Sequence, residues 1–165
     1  MKQEKRKIYV VALSTRKGAW LTVNDKDVST LSREINKKLG SPKEIAIHDH
    51  QGFGGYGIDE FESLDTIVAL STLMDEYGSG AVAAFASHYG YGDPENLASE
   101  FSDRFVGVYE SEEAFVEELY QDQIAALPEW VQDYVDIDRL TTDLFAGDYF
   151  SSNIGVDSVA VFSAR

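Results

Sequence analysis

Hydrophobic positions change their spacing repeatedly along the chain, and each change marks an element. Ile8 to Leu13 and Ala19 to Val23 are short β-branched or aromatic runs separated by Ser14 to Gly18, the pattern of a hairpin. Val28, Leu31, Ile35 and Leu39 then recur at helical spacing. Asp27 or Ser29 is placed to cap that helix, Lys37 and Lys38 fall in its last turn, and Gly40 and Pro42 stop it. Glu44 to His48 reads as a third strand, and the glycine loop Gly52 to Gly57 closes this sheet-plus-helix part as a flexible turn.

Residues 59–103 read as helical throughout. Ser63 caps a helix carrying Leu64, Ile67, Val68, Leu73 and Met74 that stops near Gly78, and an alanine-rich stretch from Ala81 to Tyr89 stops at Gly90. Asp93, Pro94 and Glu95 open a third helix through Leu97 and Phe101. The pattern then returns to a strand at Phe105 to Tyr109, followed by a helix opened by Ser111, Glu112 and Glu113 with Phe115, Leu119 and Tyr120 on its apolar face. After Leu127 and Pro128 come a short aromatic helix with Trp130 and Tyr134, another from Asp136 with Ile137, Leu140 and Leu144, and a closing hairpin from Tyr149 to Phe162. The expected architecture is α+β, built as three small units over residues 1–58, 59–103 and 104–165, with antiparallel or mixed small sheets.

Composition narrows the class. With 165 residues, 44% hydrophobic and 12% aromatic content and 3 prolines, the chain is expected to fold rather than stay disordered. It has no cysteine, which excludes disulfides, thiolate metal sites and a cysteine nucleophile. No run approaches the roughly 18 apolar residues of a membrane span. The basic start Met1 to Lys7 leads into only six apolar positions before Arg16 and Lys17, unlike a secretory signal. The reading is a cytoplasmic protein without membrane contact.

Charge alters the picture more than composition does. The net charge is −15, but residues 1–43 carry a surplus of +7, whereas residues 44–164 hold 25 acids against Arg104 and Arg139 alone, giving −23. A field of that sign repels nucleic acid and phosphorylated substrates, so direct nucleic-acid binding by residues 44–164 is disfavoured, and no nucleic acid is expected as a direct partner of the chain. It attracts a protein whose own site is cationic, and DNA-binding channels are large sites of that kind. Glu112, Glu113, Glu117 and Glu118 form two adjacent stripes of one helix, with carboxylates about 5–6 Å apart.

Chemical motifs are sparse. Gly52, Gly54 and Gly57 match G-x-G-x-x-G after a strand, but no second parallel strand follows and Asp49, Asp59, Glu60 and Glu62 crowd the place a pyrophosphate would take. His48 and His50 sit two apart on one strand with only His88 elsewhere, too few for a metal site, and Asp133, Asp136, Asp138 and Asp143 lack the spacing of a calcium loop. No cofactor is expected. With so many acids, carboxylate pairs arise by chance, so none marks a hydrolase; a carboxylate-pair hydrolase and an acidic module for another basic partner are the rival readings.

Several stretches, in order, carry a resemblance. Gly18-Ala19-Trp20, Ala46-Ile47-His48-Asp49, Gly52-Phe53, Tyr56 through Asp65, Phe105-Val106-Gly107-Val108-Tyr109 and Leu127-Pro128-Glu129-Trp130 resemble the ArdA family of antirestriction proteins. The resemblance spans Ile8 to Phe162. It implies a non-enzymatic DNA mimic of plasmids and conjugative transposons that occupies the DNA-binding channel of type I restriction-modification enzymes and blocks restriction. It also implies an elongated homodimer joined through the C-terminal unit. Carried over, Phe105 to Tyr109 would be the interface strand, and Leu127, Pro128, Glu129, Trp130, Val131, Tyr134, Asp136 and Leu140 the antirestriction motif. The mimic surface would comprise Asp59, Glu60, Glu62, Asp65, Asp75, Glu76, Asp93, Glu95, Glu100, Asp103, Glu110, Glu112, Glu113, Glu117, Glu118 and Asp122. The basic residues 1–43 depart from such a surface, so the mimicry is expected in the helical part and in Glu110 to Asp122.

Overall fold

A computed structural model describes residues 4–89 and 94–165, the side chains of 94 and 95 excepted. They form two compact units, Met1–Phe101 and Ser102–Arg165. The fold is α+β, and both sheets are antiparallel.

In the first unit, β1 (Lys7–Ala12) lies between β2 (Gly18–Thr22) and β3 (Ile45–Gln51). Tyr9 faces Trp20 on one side and Asp49 on the other, with a register shift after it. Alternation sends Ile8, Val10 and Ala12 inward to meet Leu31, Ile35 and Leu39 of α1 (Val28–Leu39) in the core. Asp27 caps α1 by accepting from the Thr30 amide at 2.7 Å, and bonding to Thr30 holds its carboxyl below its ordinary value. Strand limits shift from those expected: Leu13 falls in the loop, and β3 continues past His48 to Gln51 because its backbone still pairs with β1.

Helices α2 (Leu64–Tyr77) and α3 (Ser79–Tyr89) belong to the same unit, and α4 (Pro94–Arg104) buries Leu97 and Phe101. Ser63 caps α2, as the pattern required. Phe85 packs between Tyr89 and Phe101, with ring centroids 4.8 Å and 5.3 Å away. The glycine loop is a packed joint rather than a flexible turn. Gly52 (φ +83) lies under the Lys5 carbonyl and Gly54 (φ +59) against the Ser79 carbonyl, and a Cβ at either place would collide with that backbone.

The joint is locked by Arg6, which is 2% exposed. Its Nε donates to Ser71 Oγ at 2.8 Å and its Nη2 pairs with the Asp75 carboxylate, both on α2. Burial pushes the guanidinium down from its ordinary value, and partners of this kind offset the cost of burying it.

In the second unit, β6 (Ser158–Ser163) lies between β4 (Phe105–Tyr109) and β5 (Tyr149–Gly155), so β4 is an edge strand. The helices are α5 (Glu112–Ala125), α6 (Glu129–Gln132) and α7 (Ile137–Phe145). Phe115, Val116, Val159 and Val161 form one core cluster, edged by half-buried Tyr109, Tyr120, Leu140, Phe145 and Tyr149, and Ala160 and Phe162 are buried on the other face of β6.

Candidate protein-interaction surface

The acidic helix α5 is fixed at its start by Ser111, whose Oγ accepts from the Ala114 amide at 3.0 Å. Glu112 and Glu113 in the first turn suit the positive helix end. Phe115 and Val116 pin the opposite side into the core, so Glu113, Glu117, Glu118 and Asp122 are left exposed as two i, i+4 pairs, with Glu110 exposed just before the helix. None of these five has a cationic partner among the described residues. Like charges at that spacing cost the isolated helix roughly 0.2–0.5 kcal/mol per pair, which the buried face must offset.

Glu112 differs. It is half-buried, and its Oε1 accepts from Ser151 Oγ at 2.6 Å, tying the helix start to β5. Between this start and the β5–β6 hairpin lies an open hollow of about 560 Å³ lined by Glu110, Glu112, Glu113 and Asp157 with Ser111, Ser151 and Ser158. Carboxylates and hydroxyls line it without a histidine or lysine to activate a nucleophile.

Of the acids expected in the first unit, Asp59, Glu60, Asp65, Glu76 and Glu100 are exposed and Glu62 is half-buried. Glu60 lies 3.5 Å from His48 Nε2. Asp65 occupies the first turn of α2. Asp75 is directed inward to Arg6, so its charge is matched inside the fold. Asp103, at the start of the second unit, is exposed. Asp93 and the side chain of Glu95 lie outside the described residues. His50 Nε2 accepts from the Ile58 amide at 3.2 Å and its ring meets Phe53 edge-on, a structural use.

The strand β4 exposes Val106 and Val108, at 40% and 48%, while Phe105 and Tyr109 turn inward and Gly107 lies beside the Tyr109 ring. Burial first, and then the Glu118 carboxylate and Tyr149, push the Tyr109 hydroxyl up from its ordinary value. Among the described residues β4 pairs with one strand only, β6, and its exposed valines lie on this outer strand, a position that natural sheets cover. Along the segment from Leu127, Trp130 and Tyr134 are 72% and 81% exposed, Leu127, Pro128 and Glu129 are exposed, and Val131 and Leu140 are half-buried. Asp136 caps α7, accepting from the Arg139 amide at 3.0 Å.

Arg6 and Ser151 are the organising residues that reading the sequence missed. Arg6 shares its parity with Ile8, Val10 and Ala12, which was the signal for its burial. Ser151 carried none, since its partner lies 39 residues away.

A family model described as antirestriction protein (ArdA) matches residues 14–158 of the chain. No match is found among the curated proteins.

Proposed function

Because the chain belongs to the ArdA family of antirestriction proteins, we propose that it blocks restriction by occupying, as a DNA mimic, the DNA-binding channel of a type I restriction-modification enzyme. The observation that carries the reading is the track of unpartnered carboxylates on α5. From Glu113 to Asp122 the helix rises about 13 Å and carries four exposed acids, roughly one per 4 Å, against about 3.4 Å per phosphate along one DNA strand. A cationic groove relieves the repulsion among them, so binding and fold support each other.

In this reading the protein acts without catalysis and without a cofactor. Two copies join through β4, which covers Val106 and Val108, and the exposed Leu127, Trp130 and Tyr134 form an apolar contact beside the acidic track. Burying such aromatics gives the complex specificity that charge alone does not.

The test is charge reversal. Glu113, Glu117, Glu118 and Asp122 changed together to Lys should weaken binding to a type I methyltransferase core by about a hundredfold or more. Asp25→Lys with Glu44→Lys, two exposed acids outside the proposed mimic surface, should leave it within about threefold. Equal losses from the two sets would overturn the reading.

A further inference from the structure

Four chain ends meet at one end of the first sheet: β1 finishes at Ala12, β2 begins at Gly18, α1 finishes at Leu39 and β3 begins at Ile45. Hydrogen bonds tie them, from the Ala12 amide to the Lys17 carbonyl at 2.8 Å, Leu13 to Glu44 at 3.1 Å, and Lys38 Nζ to the Trp20 carbonyl at 3.2 Å. Arg16, Lys17, Lys37, Lys38 and Lys43 are all exposed there, and Glu44 is the one acid in these connecting segments. None of the five cations forms an ion pair with another described residue.

Elsewhere in the unit Arg6 pairs with Asp75 and Lys26 with Glu34, while the cations left without an ion pair among the described residues, Lys5, Lys7 and Arg33, are spread along the chain and not gathered at one end. The C-terminal end of α1 favours Lys37 and Lys38 but gives no counter-charge to Arg16, Lys17 or Lys43. Arg16 even stands in the left-handed region (φ 60), where Gly or Asn would sit with less strain.

An aromatic pair adjoins this end. Tyr9 and Trp20 are cross-strand partners on the sheet face opposite Ile8, Val10 and Leu21, with ring centroids 5.3 Å apart. Gly18 makes room for the pair, because a Cβ there would strike the Tyr9 ring. Trp20 stays 39% exposed although a core lies one residue away.

Unpaired cations beside an open aromatic face are the two parts of a single-strand nucleic-acid site: charge for the phosphates, a ring for a base. We propose that this end of the first sheet binds single-stranded nucleic acid, with Arg16, Lys17, Lys37 and Lys43 on the phosphates and Trp20 stacking a base. At about 0.15 M salt charges beyond about 8 Å are largely screened, so the acids that matter here are the near ones of the same unit, Glu44 in the loop and Asp49 across from Tyr9, against five cations. The site is independent of the α5 track, and its test involves no restriction enzyme.

The experiment is fluorescence anisotropy of a labelled oligothymidylate with the full chain, titrated with salt. Saturable binding that weakens with salt is expected. Arg16→Glu, Lys37→Glu and Lys43→Glu together should weaken it about tenfold or more and flatten the salt slope by roughly one for each phosphate no longer held. Trp20→Ala, with circular dichroism unchanged, should weaken binding several-fold without altering the slope. No binding at the lowest salt, or an unaffected triple variant, would overturn the proposal. So would equal affinity for duplex DNA, or equal competition by polyglutamate, which would mark a surface for acidic protein instead.

Discussion

In the unit Met1–Phe101, three large apolar side chains, Leu13, Trp20 and Phe61, are exposed among the described residues, whereas Ser102–Arg165, about two thirds as long, exposes seven, from Val106 to Val156. The longer unit encloses two layers and even buries an arginine with its partners. The shorter has a small core cluster in which one phenylalanine, Phe115, touches the rings of Tyr109, Phe145 and Tyr149, and on the other face of β6 Phe162 packs with Phe105 and Phe150. A chain of that size has too little interior for its apolar residues, so part of them must stay in water or be covered by a partner. The same unit carries the unpartnered acids of α5. Exposed large apolar side chains are denser on this unit than on the longer one.

The sharpest way to break this comparison is Phe115→Ala, which should cost about 4 kcal/mol because it removes the ring that Tyr109, Phe145 and Tyr149 all pack on and leaves a cavity. Chemical denaturation followed by hydrogen exchange should show the amides of residues 102–165 losing protection before those of β1 and β3. Simultaneous loss in both would show that the two units unfold as one.

Next comes the buried pair of the longer unit. Arg6→Ala should destabilise by about 3 kcal/mol, since it leaves the half-buried Asp75 carboxylate without its cation. Arg6→Met with Asp75→Leu should recover most of that loss in thermal melts, and failure to recover would assign the effect to the Gly52 joint instead.

The smallest effect concerns the exposed edge. Val106→Lys with Val108→Lys should leave monomer stability within about 0.5 kcal/mol, as both side chains are exposed. Self-association measured by sedimentation equilibrium should weaken by roughly thirtyfold, or about 2 kcal/mol. An unchanged dimer would place the interface elsewhere than β4.

Much of this difference could be read before the structure. Helix α1 was legible because period, cap and stop coincided on Asp27, Leu31 to Leu39 and Gly40. Helix α5 was legible from Ser111 and the two acids after it, and β4 from its apolar run between Arg104 and Glu110. Strand limits moved by a residue or more at β1 and by three at the end of β3, since backbone pairing with Gln51 and not side-chain polarity ends a strand. Gly52 and Gly54 read as a loose turn because what constrains them, the Lys5 and Ser79 carbonyls, is distant in sequence. The acids were countable along the chain, but not their duties: Asp75 and Glu112 bond within the fold, while the carboxylates of Glu113, Glu117, Glu118 and Asp122 pair with no cation among the described residues.

The central claim, that the exposed acids of α5 stand in for the phosphates of DNA, is tested most directly by competition. Labelled duplex DNA bound to a type I methyltransferase core is titrated with the intact protein at about 0.1 M salt. Displacement of the duplex at stoichiometric amounts, abolished when Glu113, Glu117, Glu118 and Asp122 are changed to Lys, is the predicted result. A stable complex holding enzyme, duplex and this protein together would contradict it.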